Sequence, residues 1–380
     1  MIERAPNKRI RDIDWGIVLI VAVLAILSVV MVSSATRVNI TGDPSYFYIR
    51  QTLWFVIGFA AMFLAIRIDY AEWEKRWKSL YGAGVCSLAL VNLAGSAANG
   101  ARSWFQLGPL KLEPAEFMKL VLILVLSRLL KDCQASITYR QLARILLLAA
   151  IPIGLVILQP DLGTAMMMSA IVCGMLWSAG IPRRHLLGLS AIGVSFVGLL
   201  LLMYVVRQDL FFAAIQPYQW ERLTMFLNPE TVKSGAGYQL YQSMLAIGAG
   251  QWFGEGVYRG SQTQGAWIPE RHTDFIFSVI AEELGFLGAG FLLVSYCILL
   301  VRMAKIGREA RDNYGSLVVA GVLSMFLAQV FENVGMTMSM MPITGITLPL
   351  MSYGGSSIVT SMLGVGLVLN VGYRRKKIKF

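Results

Sequence analysis

Ten apolar runs, several of them about twenty residues long, constrain this 380-residue chain more than any other feature of its sequence. A helix needs roughly 20 apolar residues to cross the hydrocarbon core of a bilayer. The chain is 56% hydrophobic and 14% charged, whereas about a quarter of the residues of a soluble domain are charged. The sequence therefore predicts an all-α integral membrane protein, a polytopic bundle of ten transmembrane helices forming a single domain over residues 1–380. The predicted spans are Trp15–Ser34, Gln51–Ile68, Leu80–Leu93, Pro114–Leu130, Ile145–Leu158, Leu162–Ile181, Leu186–Val206, Phe275–Met303, Tyr314–Met338 and Ser356–Tyr373.

The orientation of these spans follows from the Lys and Arg residues, most of which fall in alternate connections. Positively charged loops stay on the cytoplasmic side, so both termini are predicted to be cytoplasmic. In a chain this apolar, the net charge of +11 is explained by topology, and no nucleic-acid partner is predicted. Four segments then lie outside the cytoplasm: residues 99–117, 159–163, 207–273 and 341–357.

The connection of residues 207–273, between the seventh and eighth spans, is predicted to be a large extracytoplasmic loop, too long to be idle in a compact bundle. Its stretch DLFFAAIQPYQWERLTMF predicts an apolar-faced helix along the membrane interface, with Tyr218 and Trp220 as anchors. A second stretch, GAGYQLYQSMLAIGAG, predicts a helix bracketed by glycines.

Asp274 stands where a polar cluster meets the eighth apolar run. A carboxylate at that depth is partly desolvated yet reachable by water and lipid headgroups, which suits a general base acting on a lipid-borne substrate. Two alternatives remain open from the residues alone. Thr273 or Asp274 is a suitable helix N-cap, and Glu270 would share a helix face with Asp274 if the helix extended back.

Several other polar residues lie within apolar runs, where they are costly and count as site candidates. For Glu282, Glu283 and Glu332, the favoured interpretation is structural: Lys119 neutralises one of these acids and so holds helices together. Asp161 is explained by a helix start, with a metal or phosphate role as the sharper alternative, and Arg102 suits either a phosphate or a loop salt bridge. The intramembrane candidates are Glu116, Lys119, Glu282, Glu283, Glu332 and Asn333.

The segment PITGITLPLMSYGGSS carries two prolines and three glycines between two spans. Irregular backbone survives at membrane depth only where it is buried in protein or lines a cavity, so a re-entrant wall of a site is predicted, with an ordinary outer turn as the alternative. The sequence has no phosphate-binding loop, no dinucleotide fingerprint and no His or Cys cluster for zinc. No nucleotide cofactor is predicted.

Six motifs together resemble the SEDS family (shape, elongation, division and sporulation proteins): PERHTDFIF, GARSW with PAEFMKL, QPDLGTA, PYQWERL with NPE, GYQLYQS and PITGITLPLMSYGGSS. They occur in the family's order along nearly the whole chain. Arg271 makes the chain similar to the elongation members, since the division members tend to carry alanine there. Two positions depart from the usual pattern: Glu113 with Ala115 in EPAEF, and Thr347 in GITLP.

This resemblance implies a peptidoglycan glycosyltransferase of the bacterial cytoplasmic membrane that polymerises lipid II at its outer face, with a class B penicillin-binding protein as partner. It implies Asp274 as the essential carboxylate. Arg102 and Lys119 are expected to bind the donor diphosphate, and a divalent cation, Mg²⁺ or Mn²⁺, held by acidic side chains remains open. The expected substrate-binding residues are Arg102, Glu116, Lys119, Asp161, Glu270, Arg271, His272, Ser352 and Ser356.

Two other classes of function stay open. A lipid II flippase or other transporter would line a path across the bilayer with polar residues and often shows an inverted repeat, which this sequence lacks. A non-catalytic scaffold would only recruit the penicillin-binding protein, and Asp274 would then be replaceable.

Overall fold

The structure, a computed structural model, describes residues 12–38, 45–98, 101–107, 110–133, 137–214, 217–227 and 235–375. Most of the described chain is helical. The NPE motif at residues 228–230 and the basic ends, 1–11 and 376–380, lie outside the described residues. In chain order the helices are α1 (Trp15–Ala35), α2 (Ser45–Arg67), α3 (Tyr70–Lys75), α4 (Trp77–Ala94), α5 (Pro114–Leu130), α6 (Tyr139–Ile157), α7 (Leu162–Ser178), α8 (Arg183–Val206), α9 (Gln208–Ala214), α10 (Pro217–Thr224), α11 (Gly235–Ala249), α12 (Ser261–Gln264), α13 (Ile276–Arg308), α14 (Asn313–Thr337) and α15 (Gly355–Tyr373).

Every predicted span coincides with one of these helices. Within the described chain, seven helices are long and apolar enough to cross a membrane: α1, α2, α6, α8, α13, α14 and α15. Helices α5 and α7 have 17 residues each, at the short end of what a bilayer requires. The chain therefore has the helices of a polytopic membrane protein, and the crossing of all ten spans stays a prediction.

Side-chain caps set where several of the helices begin. The Asp14 carboxylate accepts hydrogen bonds from the N–H groups of Gly16 (3.0 Å) and Ile17 at the start of α1. Thr138 and Gln141 form a capping box at the start of α6. These contacts satisfy N–H groups that have no partner within the helix, so the apolar run sets a helix's extent and the polar residue before it sets its first turn.

Helices α14 and α15 are the most buried of the seven long helices. Helix α15 packs on α2, and α14 packs on α5, α7 and α13. By contrast, none of the side chains that the structure describes in the apolar window of α8 is buried. The C-terminal end of α8 instead meets α9 and α10 in an aromatic cluster, with the Trp220 ring centroid 4.6 Å from Tyr204 and 4.9 Å from Phe211.

Two predictions for the outer segments need correction. The single interfacial helix predicted from DLFFAAIQPYQWERLTMF is two helices, α9 and α10, and the side chain of Tyr218 lies outside the described part of the structure. The all-α class also misses a three-stranded antiparallel sheet, β1 (Ser96–Ala98), β2 (Ala101–Leu107) and β3 (Leu110–Leu112). These strands are short and lie between two spans, where a search for apolar runs gives no signal. The helix predicted from GAGYQLYQSMLAIGAG is present as α11.

Helix α13 is broken at Gly285, whose backbone (φ 65°, ψ −166°) is not helical. Residues 250–265, called the strap here, supply the hydrogen bonds that the break removes. The N–H groups of Glu255 and Gly256 donate to the carbonyls of Glu282 (2.9 Å) and Glu283 (3.0 Å). On the other side of the break, Phe286 N–H donates to the Gln251 carbonyl (2.8 Å) and Leu287 N–H to the Trp252 carbonyl (3.2 Å). A break at membrane depth is tolerated because the freed groups are satisfied within the protein.

The carboxylates of Glu282 and Glu283 accept hydrogen bonds from residues of the strap. Glu282 is fully buried and accepts from the N–H groups of Gln262 (2.6 Å) and Thr263 (3.0 Å) and from the Thr263 hydroxyl (2.6 Å). Glu283 accepts from the Ser34 hydroxyl at 2.6 Å. Both acids therefore hold elements together, as predicted, although their partners are in the strap and in α1, and Lys119 is not among them.

Candidate active site

Asp274 lies in a turn, and α13 begins two residues later, at Ile276. The helix start receives no side-chain hydrogen bond from Thr273 or Asp274, so the alternative of a helix cap is wrong. The helix does not extend back to Glu270 either. Instead the Thr273 hydroxyl donates to the Glu270 carboxylate at 3.1 Å. Asp274 is half-buried, and its carboxylate does not cap the helix.

The backbone around Asp274 is fixed by residues from much later in the chain. Residues 338–354, between α14 and α15, are called the wall segment here. Three consecutive carbonyl oxygens before α13 each accept a hydrogen bond from this segment or from the end of α14. The donors are Tyr353 N–H to His272 O (2.9 Å), Ser352 Oγ to Thr273 O (2.6 Å) and Asn333 Nδ2 to Asp274 O (2.7 Å). Because all three carbonyls are held, the backbone that carries the Asp274 side chain is fixed by the fold.

The wall segment is itself anchored to α14. Asn333 Nδ2 also donates to the Ile346 carbonyl at 2.7 Å, and the Thr344 hydroxyl donates to Glu332 at 2.9 Å. These contacts give Glu332 and Asn333 structural roles. They also agree with the prediction that PITGITLPLMSYGGSS forms irregular backbone at the edge of a site.

Electrostatic surroundings bring the pKa of Asp274 to about 7. Burial is the main cause, because it disfavours the charged carboxylate, and the neighbouring Glu270 raises the pKa further. The guanidinium of Arg222 and the Thr273 hydroxyl lower it, and Asp161 raises it slightly. A carboxylate with a pKa near neutrality is well matched to proton transfer at physiological pH.

A second group of charges lies at the starts of α5 and α7. Lys119 is buried and forms an ion pair with Glu116 at 2.8 Å. Asp161 caps α7, as predicted, by accepting from the Thr164 N–H at 3.0 Å. Burial, together with Glu116 and Asp161, raises the pKa of Glu113 well above its usual value, and burial raises that of Asp161. The structure thus brings Glu116, Lys119 and Asp161 together.

This second group adjoins the Asp274 site through the wall segment. A side chain at Gly163, in the first turn of α7, would approach the Thr344 carbonyl oxygen to 2.7 Å, so α7 packs directly on that backbone. Asp161 also contributes to the pKa of Asp274. The two groups therefore share one electrostatic environment.

Four of the other predicted residues occupy supporting positions. Arg271 is buried and donates to the backbone carbonyls of Ala35 (2.6 Å), Ile268 and Val38, which joins the end of α1 to the site. The other three are Ser352, which is buried, His272, whose ring lies 5.1 Å from that of Phe47, and Ser356, whose hydroxyl accepts from the Glu113 N–H at 3.0 Å. Burial lowers the pKa of His272.

Arg102 lies on β2, opposite Ala97 of β1, and its side chain is outside the described part of the structure.

The family model described as Cell cycle protein, for FtsW, RodA and SpoVE, matches residues 13–377. The chain belongs to this family. The predicted resemblance is therefore confirmed, since these are the SEDS proteins.

Curated members of the FtsW/RodA/SpoVE family match over almost the whole chain. Stage V sporulation protein E of Bacillus subtilis is 37% identical, covering 94% of this chain and 96% of that protein. Peptidoglycan glycosyltransferase RodA of Treponema pallidum is 32% identical, covering 97% of this chain and all of that protein. Among solved structures, a chain from work described as structural coordination of polymerization and crosslinking by a peptidoglycan synthase complex is 35% identical. It has a TM-score of 0.78 and covers 96% of this chain and 98% of that chain.

In this family member, the structure places three residues near Asp274 to which the sequence assigns no role there. Arg222 was part of a predicted membrane-interface helix, Gly345 was one of several turn glycines, and Asn333 was noted only beside Glu332. Gly345 stands between two prolines in a segment predicted to line a cavity, and this position was its only sequence signal. Its φ is 75°. Arg222 lies in the PYQWERL motif, but its proximity to Asp274 arises only in the folded chain.

The divalent cation left open by the resemblance stays a prediction, since Mg²⁺ is often held by one or two carboxylates together with substrate phosphates. Within the described chain, no three His, Cys, Asp or Glu side chains are grouped so that they could hold a metal ion. No step of the chemistry below is assigned to a metal.

Proposed function

We propose that this chain is a peptidoglycan glycosyltransferase that polymerises lipid II into glycan strands. The observation that carries the proposal is Asp274, a half-buried carboxylate with a pKa of about 7, held in place through three backbone carbonyls and facing a guanidinium. Relatives along the full length of the chain, such as the RodA of Treponema pallidum, bear the name of this activity. The same site on the outer side of the membrane would meet a lipid-linked sugar.

In the proposed reaction, Asp274 acts as the general base. It takes the proton from the 4-hydroxyl of the acceptor's terminal N-acetylglucosamine, and that oxygen attacks the anomeric carbon of the donor sugar. The bond from this carbon to the diphosphate oxygen breaks, and the polyprenyl diphosphate leaves with the electron pair. Attack from the opposite face converts an α-linked donor into a β-linked product without a covalent enzyme intermediate.

Charged residues near the base would position the substrates and stabilise the leaving diphosphate. Arg102 and Lys119 remain the diphosphate ligands predicted from the sequence. Lys119 is paired with Glu116 and would exchange this partner for the diphosphate. Glu116 and Asp161 are the acidic members of this charged group.

The setting of the enzyme is part of the same proposal. Both termini are cytoplasmic, all ten helices cross the bacterial cytoplasmic membrane, and the active face looks outward. A class B penicillin-binding protein cross-links the new strands, in keeping with the peptidoglycan synthase complex to which this chain is similar. The cellular role is elongation and rod shape.

A polymerisation assay tests the proposal. The protein is purified with its penicillin-binding partner and supplied with fluorescent lipid II, with Mg²⁺, with Mn²⁺ and with neither. The wild type is expected to form glycan strands, and Asp274→Ala to lose at least about 100-fold of the rate, the usual cost of removing a catalytic base. Asp209→Asn, an exposed acid on α9, is the matched control and should polymerise like the wild type.

Two outcomes would reject the assignment. Unchanged strand formation by Asp274→Ala would leave the chain as a scaffold. Movement of lipid II across vesicle membranes by a wild type that forms no strands would make it a transporter.

A further inference from the structure

Arg222 is attached to the wall segment by its backbone. It lies near the end of α10, and its carbonyl oxygen accepts a hydrogen bond from Ile343 N–H at 3.1 Å. One turn further on, the Phe226 carbonyl accepts from the Ser339 hydroxyl at 2.9 Å. These two bonds hold α10, an element of the long outer connection, against the segment that also holds Asp274.

The side chain of Arg222 faces Asp274 across a gap at Gly345. A Cβ atom at Gly345 would lie 3.1 Å from Asp274 Oδ2 and 3.5 Å from Arg222 Nη1. The carboxylate and the guanidinium therefore lie within about 7 Å of one another. They form no ion pair, and the absence of a side chain at Gly345 leaves the space between them open.

Arg222 also differs from the cationic residues that the sequence predicts for the site and whose side chains are described. Lys119 is buried and paired with Glu116, and Arg271 is buried and donates to three backbone carbonyls. Arg222 is exposed, and within the described chain no side chain forms an ion pair with it. Its donors remain available to a ligand.

We infer that Arg222 is a further catalytic residue, the guanidinium that binds the donor's diphosphate opposite the base, an inference that rests on the proposed function. A planar guanidinium donates two parallel hydrogen bonds to phosphate oxygens. As the bond from the anomeric carbon to the diphosphate oxygen breaks, negative charge grows on that oxygen, and Arg222 stabilises it. The proton from the acceptor hydroxyl meanwhile passes to Asp274 on the other side of the gap.

Arg222 has a second effect, on the base itself. The charged groups that act on Asp274 are Glu270 and Asp161, which raise its pKa, and Arg222, which lowers it. Without Arg222 only the two acids remain, so a larger share of Asp274 would be protonated at neutral pH. The same guanidinium thus keeps the base ionised before the donor arrives.

The test uses the complex with the penicillin-binding partner and three variants: Arg222→Gln, Arg222→Lys and, as a matched control, Arg207→Gln. Arg207 is an exposed arginine at the end of α8 in the same outer connection. Three quantities are measured: the strand-forming rate at saturating lipid II, inhibition by inorganic pyrophosphate, and the dependence of the rate on pH.

Arg222→Gln is expected to lose about 100-fold in rate, as when one charge-stabilising donor is removed from an active site. Its inhibition by pyrophosphate should weaken about 10-fold, since one charged contact is gone, and the rising limb of its pH profile should move to higher pH. Arg222→Lys should recover part of the rate. Arg207→Gln should match the wild type in all three.

A wild-type rate in Arg222→Gln, while Asp274→Ala is inactive, would overturn this inference alone. A lower rate with unchanged pyrophosphate inhibition and an unchanged pH profile would also overturn it, because such a result describes a merely structural residue. Normal polymerisation by Asp274→Ala would instead reject the proposed function and this inference with it.

Discussion

Asp274 places a charge where the fold does not favour one. A buried carboxylate with a raised pKa reduces the stability of the folded protein above the pH at which the unfolded carboxylate ionises. For Asp274, with an ordinary value of 3.8 and a folded value of about 7, the stability cost begins near pH 4 and is complete above pH 7. The hydrogen bonds to the carbonyls of residues 272–274 hold this unfavourable group in place.

Asp274→Asn is therefore expected to stabilise the protein while inactivating it. The gain should be roughly 1–3 kcal/mol at pH 8 and smaller at pH 5, because the wild-type cost grows with pH across this range. Thermal unfolding in detergent at the two pH values measures it. An equal or lower Tm at pH 8 would contradict the assigned pKa, and Asp209→Asn provides the comparison for a carboxylate already in water.

Residue-level prediction succeeded where the signal was local. Asp161 follows a proline and precedes an apolar run, which is enough to predict its cap. Arg222 and Gly345 could not be found in this way, because their roles depend on contacts between residues far apart in sequence. Arg271 shows the converse: a cation beside the catalytic motif is held by three backbone carbonyls.

Helix α13 and the strap form a unit at the level of secondary structure. The sequence predicts α13 as one uninterrupted span, whereas the structure breaks it at Gly285. The break is not predicted because apolar composition carries no information on backbone angles. The only hint was the pair of acids, Glu282 and Glu283, just before that glycine. These two acids lie between the break at Gly285 and the strap, whose residues hydrogen-bond to the backbone on both sides of the break.

Glu282→Ala is expected to release the strap. The variant leaves the N–H groups of Gln262 and Thr263 and the Thr263 hydroxyl without an acceptor, and hydrogen bonds to a charged group contribute about 1.5–3 kcal/mol each. A loss of about 3 kcal/mol or more in stability should appear as a lower Tm and as faster proteolysis within residues 250–265.

Glu72→Ala is the control for this variant, since Glu72 pairs with Lys75 at the surface, where an ion pair contributes little. If Glu282→Ala and Glu72→Ala unfold at the same temperature and resist protease equally, the strap does not depend on Glu282.

At the scale of the whole molecule, the helices were predictable and their arrangement was not. Span limits such as Trp15–Ser34 agree with α1 (Trp15–Ala35) because apolar length is set by the bilayer. The exposed apolar window of α8 is more apolar than the windows of the buried helices α14 and α15, and apolar length alone does not predict which run packs in the interior. The orientation inferred from Lys and Arg remains a prediction.

Labelling of single cysteines tests that orientation. In a chain whose Cys86, Cys133, Cys173 and Cys297 are replaced by serine, Gln251→Cys should react with a membrane-impermeant maleimide added to intact cells, and Lys75→Cys should react only after lysis. Both positions are exposed, so access depends on the side of the membrane. Reaction of Lys75→Cys in intact cells would reverse the topology, and the cysteine-free chain sets the background.

The support of Asp274 by residues 333, 352 and 353 has a consequence for biosynthesis. During translation, Asp274 is synthesised before residues 333, 352 and 353, which position it. An unfinished chain would therefore carry the carboxylate without its scaffold. A chain that ends before Asn333 would lack all three donors, and we expect it to join no sugars.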